Sequence, residues 1–214
     1  MPQIITTTVF TIDELSDAAR EKARSWYREE GLFDEWYDYI YDDFQTICRI
    51  VGITLRTSPI RLYGGGTRDK PHIWFRGFWS QGDGACYEGQ YSHTRGAAKA
   101  LRAHAPKDTE LHSIVDALQD AQRRNIWQLH ATFRRIGLYS HANSMEIAVE
   151  RDSPTWQPIA DGTDDTTVEA LRNLAHWLYR QLRDAYEAET SDCAVDEALA
   201  VNEYTFTKDG KRFG

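Results

Sequence analysis

His72-Ile73-Trp74-Phe75-Arg76-Gly77-Phe78-Trp79 runs into Ser80-Gln81-Gly82-Asp83-Gly84-Ala85-Cys86 and then into Tyr87-Glu88-Gly89-Gln90-Tyr91. This stretch decides the fold. Its flanks carry the aromatic and apolar residues of strands. Its centre, Gln81-Gly82-Asp83-Gly84, has the composition of a tight turn. Two strands this close in sequence pair antiparallel, because a parallel pair needs a crossover of a dozen residues or more.

The same pattern extends to both sides. Upstream, Ile53-Thr54-Leu55-Arg56 and Ile60-Arg61-Leu62-Tyr63 read as strand, broken at Pro59, with Gly64-Gly65-Gly66 as a turn. Downstream, residues 127–136 and 145–150 read as two strands joined by Gly137-Leu138-Tyr139-Ser140-His141-Ala142-Asn143-Ser144. Residues 3–12, with Ile5-Thr6-Thr7-Thr8-Val9-Phe10, read as one more.

Helical spacing occupies the rest. Thr11 or Asp13 caps a helix that carries Leu15, Ala19, Ala23 and Trp26 and ends at Gly31. A second runs from about Asp34 to Val51, with Trp36, Ile40, Phe44, Ile47 and Val51 on one face. Helices are also expected over 94–104, from Asp108 to about Asn125, over 166–189 and near 195–201. Neighbouring strands joined by short turns predict an α+β fold, a mainly antiparallel sheet with helices packed on one face. One domain over 1–214 is expected, with an acidic helical part (1–52), a sheet-rich middle (53–151) and an acidic helical part (165–202).

Composition narrows the function classes. The 214 residues carry a net charge of −8, but residues 1–48 hold about −7, residues 49–149 about +6 and residues 150–200 about −8. No concentrated basic face is evident, so direct nucleic-acid binding is not expected. A local basic pocket for a small anionic ligand fits the middle. No apolar run is long enough for a membrane span, and the N-terminus lacks a signal-peptide pattern. Three widely spaced cysteines favour neither a disulfide framework nor a zinc cluster, and fit a reducing cytoplasm. The seven histidines show no metal-ligand spacing, and Gly64-Gly65-Gly66-Thr67-Arg68 lacks the ending of a phosphate loop. No metal and no cofactor are expected.

Three segments are candidates for a working site. The first holds Trp79, Ser80, Gln81, Asp83 and Tyr87. Asp83 sits between two glycines, so its carboxylate can stand clear of the sheet, and short polar groups inside an aromatic frame suit a small ligand. A plain hairpin explains the same residues. The second is Ser140, His141 and Asn143, which in an antiparallel sheet can lie at the same end as the first. The third is an acidic helical face of Asp34, Glu35, Asp38, Asp42 and Asp43, edged by tyrosines, which suits a basic partner surface or is simply solvated. Cys86 lies in a strand pattern and reads as a small hydrophobe more than as a nucleophile.

Phe10-Thr11-Ile12-Asp13-Glu14-Leu15-Ser16-Asp17-Ala18-Ala19-Arg20-Glu21-Lys22-Ala23, Phe78-Trp79-Ser80-Gln81-Gly82-Asp83-Gly84-Ala85, Tyr139-Ser140-His141 and Asn202-Glu203-Tyr204-Thr205-Phe206-Thr207-Lys208-Asp209-Gly210 together resemble a family of bacteriophage and prophage proteins. Its members often carry the label "antitoxin of toxin–antitoxin stability system". The resemblance implies a viral protein acting in the host cytoplasm. It implies a non-enzymatic accessory role, in which the protein binds and neutralises a host or prophage protein as an antitoxin-like or counter-defence inhibitor. It carries over no functional residues. The other expectation, drawn from the residues themselves, is a protein that binds or hydrolyses a small nucleotide-type ligand with the 80–86 and 139–144 loops. Oligomeric state is left open.

Overall fold

The structure is a computed structural model and describes residues 6–32 and 35–214. In chain order the main elements are α1 (Asp17–Trp26), α2 (Asp38–Val51), β1 (Ile53–Leu55), β2 (Thr57–Arg61), β3 (Thr67–Pro71), β4 (Ile73–Arg76), β5 (Gly84–Tyr87), β6 (Gly89–Ser92), α3 (Ala97–His104), α4 (Thr109–Arg124), β7 (Leu129–Arg135), β8 (Met145–Arg151), α5 (Thr163–Glu189), α6 (Asp192–Val201), β9 (Thr205–Phe206) and β10 (Arg212–Phe213). Every strand pair is antiparallel, and the class is α+β. Among the described residues, no helix is long and apolar enough to cross a membrane.

The chain divides into two compact units, residues 1–37 with 183–214, and residues 38–182. In the first, Ile12, Leu15, Ala19, Ala23, Tyr27, Val195, Leu199 and Phe206 form a buried cluster. Its rim is ionic. Arg24 pairs with Asp196 at 2.6 Å and Asp192 at 2.8 Å, and Arg28 with Asp192 at 2.5 Å. Arg212 lies 4.9 Å from the centres of the Trp26 and Tyr204 rings, within cation–π range.

The second unit holds a four-stranded sheet in the order β1-β6-β7-β8. Leu129, Ala131 and Phe133 alternate inward along β7, which gives the sheet one buried face. Tyr87 lies at the centre of this core. Its ring is edge-on to Phe44 of α2 at 5.2 Å and to Phe133 at 5.1 Å, and its hydroxyl donates to the Leu171 carbonyl of α5 at 2.9 Å.

The six strands β1 to β6 meet at a three-way junction. Three extended segments, 53–61, 67–76 and 84–92, are each interrupted once, at Arg56, His72 and Glu88. One half of each pairs with one neighbour and the other half with the other, giving β1–β6, β2–β3 and β4–β5. The three interrupting residues close a ring of backbone bonds: Arg56 N donates to Glu88 O, Glu88 N to His72 O, and His72 N to Arg56 O, at 2.8–3.0 Å. Each residue thus passes its hydrogen bonding to a new partner where the strands diverge.

Several local expectations change. Of the expected strand at 3–12, residues 3–5 lie outside the described residues, residues 6–9 form no strand, and only Phe10 makes a bridge, with Phe206. Thr11 caps a short 3-10 turn through a box with Glu14, and Ser16 precedes α1. The second helix starts at Asp38; Asp34 lies outside the described residues and Glu35 is in a turn. Pro59 does not break β2. It sits within it, opposite Asp69, in a two-stranded ribbon that lies outside the four-stranded sheet, where a missing N–H is tolerated. Its partner β3, Thr-Arg-Asp-Lys-Pro, was not anticipated. The junction at His72 and Glu88 takes His72 from the expected strand at 72–79 and divides the one at 85–91. At the other end β4 stops at Arg76, and a loop over 77–83, entered at Gly77 with φ of +48, replaces the expected tight turn and leaves Gly84 in β5.

Candidate functional site

The two polar loops converge. Gln81, Gly82, Tyr139, His141, Asn143 and Ser144 line one cavity of about 500 Å³. The contact between the loops is close at Gly84, where a Cβ would stand 3.0 Å from both His141 Cδ2 and the Ser140 carbonyl, so any side chain there would push the loops apart.

Each loop is held by its own hydrogen bonds. Asp83 Oδ2 accepts the amides of Trp79 at 2.8 Å and Ser80 at 2.6 Å. The carboxylate folds back over Gly77, whose φ of +48 and missing Cβ leave room for it. Asp83 therefore shapes the loop rather than standing clear of it. On the other side, Ser144 Oγ accepts the His141 amide and has two carbonyls in reach of its single proton, Tyr139 O at 2.9 Å and His141 O at 2.7 Å.

The tautomer of neutral His141 follows from its surroundings. Its Nδ1 accepts the Asn143 amide at 3.0 Å, so the ring proton belongs on Nε2. A second histidine, His176 of α5, is edge-on at 6.0 Å. Burial first, then the charges of His141 and Arg180, lower the His176 pKa. The cavity thus offers an aromatic face (Tyr139), two amides (Gln81 and Asn143), a hydroxyl (Ser144) and an imidazole donor.

The remaining predicted residues lie elsewhere. Trp79 is 75% exposed, and Ser80 is exposed. Ser140 is buried beneath the loop. Tyr87 is removed from the site entirely by its place in the core. Cys86 is buried too. Burial pushes its thiol up to about 11, against the lowering effects of the Arg135 charge and of hydrogen bonds with Ser144 and Ser140. A thiol held neutral at physiological pH is a poor nucleophile. On α2, Asp38, Asp42 and Asp43 are exposed, and Asp43 bonds His104 Nε2 at 2.7 Å.

A larger cavity, about 830 Å³, lies where α3, α4 and β6 meet. His93, Arg95, Lys99, Arg102 and Trp127 are among its lining residues. The Trp127 ring stands 4.4 Å from that of His93, on a backbone with φ of +61 that follows Ile126 at +57. Left-handed conformations at a β-branched and a bulky residue are strained, and such strain concentrates at functional positions. Arg102 is paired with Asp116. This cavity is where the mildly basic middle of the chain becomes a basic pocket. Its lining residues run from Val51 to Trp127, so no single segment of the sequence marks it.

Among the described residues, no group of His, Cys, Asp and Glu is arranged to hold a metal ion. No curated protein and no solved structure shows a significant match to the chain. A family model does match, over residues 36–192, and the chain belongs to that family, described as "Domain of unknown function (DUF8835)".

Proposed function

We propose that this protein binds a small nucleotide-type ligand in the cavity between the 80–86 and 139–144 loops. The observation that supports the reading most is the convergence of two loops far apart in sequence onto one lined space. Such pockets combine an apolar or aromatic wall with a few well-placed polar groups. Here Tyr139 supplies the wall. Gln81 and Asn143 each donate and accept, and His141 donates from Nε2. That set matches the mixed donors and acceptors on the edge of a nucleobase. None of the described lining residues is a Lys or Arg, so the cavity suits an uncharged base or nucleoside moiety. An anionic ligand or moiety finds Arg95 and Lys99 in the larger cavity instead.

The test is a thermal-shift panel of nucleosides and nucleotides on the wild-type chain and on His141→Ala. The expected result is stabilisation by one class of base that is absent in the variant. Absence of any shift across the panel overturns the reading.

A second reading follows the family resemblance: a phage or prophage accessory protein that acts in the host cytoplasm and neutralises a host or prophage protein. It is supported by the exposed carboxylates of Asp38 and Asp42 on α2, with Tyr39 60% exposed between them. An exposed acidic face edged by an aromatic suits a basic protein surface. Pull-down from host lysate, repeated with Asp38→Lys and Asp42→Lys together, tests it. Capture of the same proteins by both forms contradicts this face as the docking surface.

A further inference from the structure

The three-strand junction carries a relay of side chains that neither cavity uses. Ser58 Oγ lies 2.7 Å from His72 Nε2, and His72 Nδ1 lies 2.8 Å from Glu88 Oε2. The carboxylate is itself anchored, since Glu88 Oε1 accepts the Arg135 amide at 3.1 Å and Arg56 Nη1 stands 3.5 Å from Oε2. These contacts fix the imidazole. An ionised Glu88 accepts a hydrogen bond from Nδ1–H, which leaves the Nε2 lone pair of the neutral ring to accept the Ser58 hydroxyl. Trp74 packs 5.1 Å from the imidazole and is covered by the Arg135 guanidinium at 4.4 Å. Exposure is graded along the relay. Glu88 is buried, His72 is partly buried and Ser58 is exposed. A nucleophile open to solvent, a base within hydrogen-bond reach and a third group that orients the base are the parts of an activated serine.

The surroundings indicate a class of substrate. Ser58 is directly opposite Lys70, and Ile60 opposite Arg68, so these cross-strand partners share one face of the β2–β3 ribbon. Arg56, at the junction itself, reaches the same Glu88 oxygen that holds His72. A depression of about 480 Å³ adjoins the junction, and Thr54, Arg56, Gln90 and Thr132 are among its lining residues. Lys70 and Arg68 on the face that carries the exposed hydroxyl, with Arg56 paired to Glu88 at the same junction, favour an anionic substrate.

We propose that Ser58, His72 and Glu88 form a nucleophilic triad that hydrolyses carboxylic esters bearing a negative charge. Ser58 Oγ bonds to the ester carbonyl carbon while its proton passes to His72 Nε2. The carbon–oxygen bond to the leaving alcohol then breaks, and the alcohol takes that proton. Water attacks the acyl-Ser58, gives a proton to His72 and releases the acid, and the proton returns to Ser58. Glu88 is a positioning residue that holds the imidazole. The idea is independent of the loop cavity.

The test is covalent labelling of the full chain with a fluorophosphonate probe, followed by identification of the modified peptide. The expected result is one label, on Ser58, which is lost in Ser58→Ala and His72→Ala. Glu88→Gln should slow labelling by about 10³-fold or more, with partial recovery in Glu88→Asp. Ser58 is exposed, so Ser58→Ala keeps the wild-type melting temperature and separates loss of chemistry from loss of fold. Hydrolysis of p-nitrophenyl hemisuccinate should exceed that of p-nitrophenyl acetate, and Lys70→Glu should reverse the preference. An unlabelled wild-type chain, or a label that survives Ser58→Ala, overturns the triad. Equal rates on the two esters overturn the assignment of an anionic substrate.

Discussion

The loop cavity and the three-strand junction gather polar groups in opposite ways. In the cavity, most of the chemistry comes in runs. Gln81 to Asp83 form one loop and Tyr139 to Ser144 the other, and each loop holds itself with short-range bonds such as Asp83 to the Trp79 and Ser80 amides. At the junction, each of three strand segments contributes one residue to a ring, and Ser58, His72 and Glu88 are fourteen and sixteen positions apart. A cavity of the first kind is adaptable, because each loop closes on itself and can shift. A relay of the second kind is fixed by the pairing of the strands that carry it. The contrast suits a binding role for the cavity and a chemical role for the junction.

Substitutions can break this comparison at different depths. The deepest is Tyr87→Ala, which removes a ring packed on Phe44 and Phe133. It should cost about 3–5 kcal/mol and collapse both regions together. Chemical denaturation followed by circular dichroism measures this. Loss of ligand binding without loss of stability would return Tyr87 to the site.

Glu88→Ala comes next. It leaves the Arg135 amide and His72 Nδ1 without their acceptor, at a cost of about 1–3 kcal/mol. The same carboxylate makes stability depend on pH. Burial raises its pKa, but hydrogen bonds from His72 and the Arg135 amide, with the charges of His72 and Arg56, outweigh burial and hold it below the ordinary value. A depressed carboxylate stabilises the folded chain fully above its unfolded pKa, and that stabilisation is lost as pH falls through the folded one. Urea midpoints between pH 6 and pH 3 should therefore fall more steeply for the wild type than for Glu88→Gln. Parallel curves would mean that the relay carries no net energy.

Asp83→Ala tests the other region. Losing a carboxylate that accepts two amides should cost about 1–2 kcal/mol and loosen the 80–86 loop alone. Amide exchange should rise at Trp79 and Ser80 and stay unchanged at Arg56, His72 and Glu88. The mildest probe leaves the sequence intact. Cys48 and Cys86 are buried with thiols held up by burial, while Cys193 is exposed. Ellman's reagent should titrate one thiol in the native chain and three after denaturation. Rapid reaction of two or three would show the core of the second unit opening.

How legible these regions were follows from where their signals lie. Ile40, Phe44, Ile47 and Val51 step along one helical face, and Leu171, Leu174, Leu178 and Leu182 along another, so α2 and α5 were readable from period alone. That two strands pair antiparallel across Gln81-Gly82-Asp83-Gly84 was readable from turn chemistry, but the length of the loop was not, since it starts at Gly77 and ends before Gly84. β3 was not, because Thr67-Arg68-Asp69-Lys70-Pro71 is mostly exposed and is held by pairing rather than by burial. The threonine run at 6–8 shows the converse error, since it has strand composition and no partner to pair with among the described residues. His141 stood out as a candidate because it sits in a polar run. His72 was passed over as one of seven scattered histidines, since its partners are brought to it only by strand pairing. The same holds for His93 and Trp127 in the basic cavity, where exchange of Arg95 and Lys99 for Glu should weaken any anion binding about tenfold or more while sparing the loops.

The claim that the polar loops form a ligand site has one direct measurement. Melting curves of the wild-type chain and of His141→Ala are taken with adenosine, guanosine, cytidine and uridine, each in large excess. A bound ligand at about a hundred times its dissociation constant adds about 2.7 kcal/mol of stability, or roughly 5–10 °C in a chain of this size. Such a rise is expected with one class of base in the wild type and none in His141→Ala, whose own melting temperature falls by roughly 2–4 °C because the Asn143 amide loses its acceptor. An equal rise in both forms, or none in either, contradicts it.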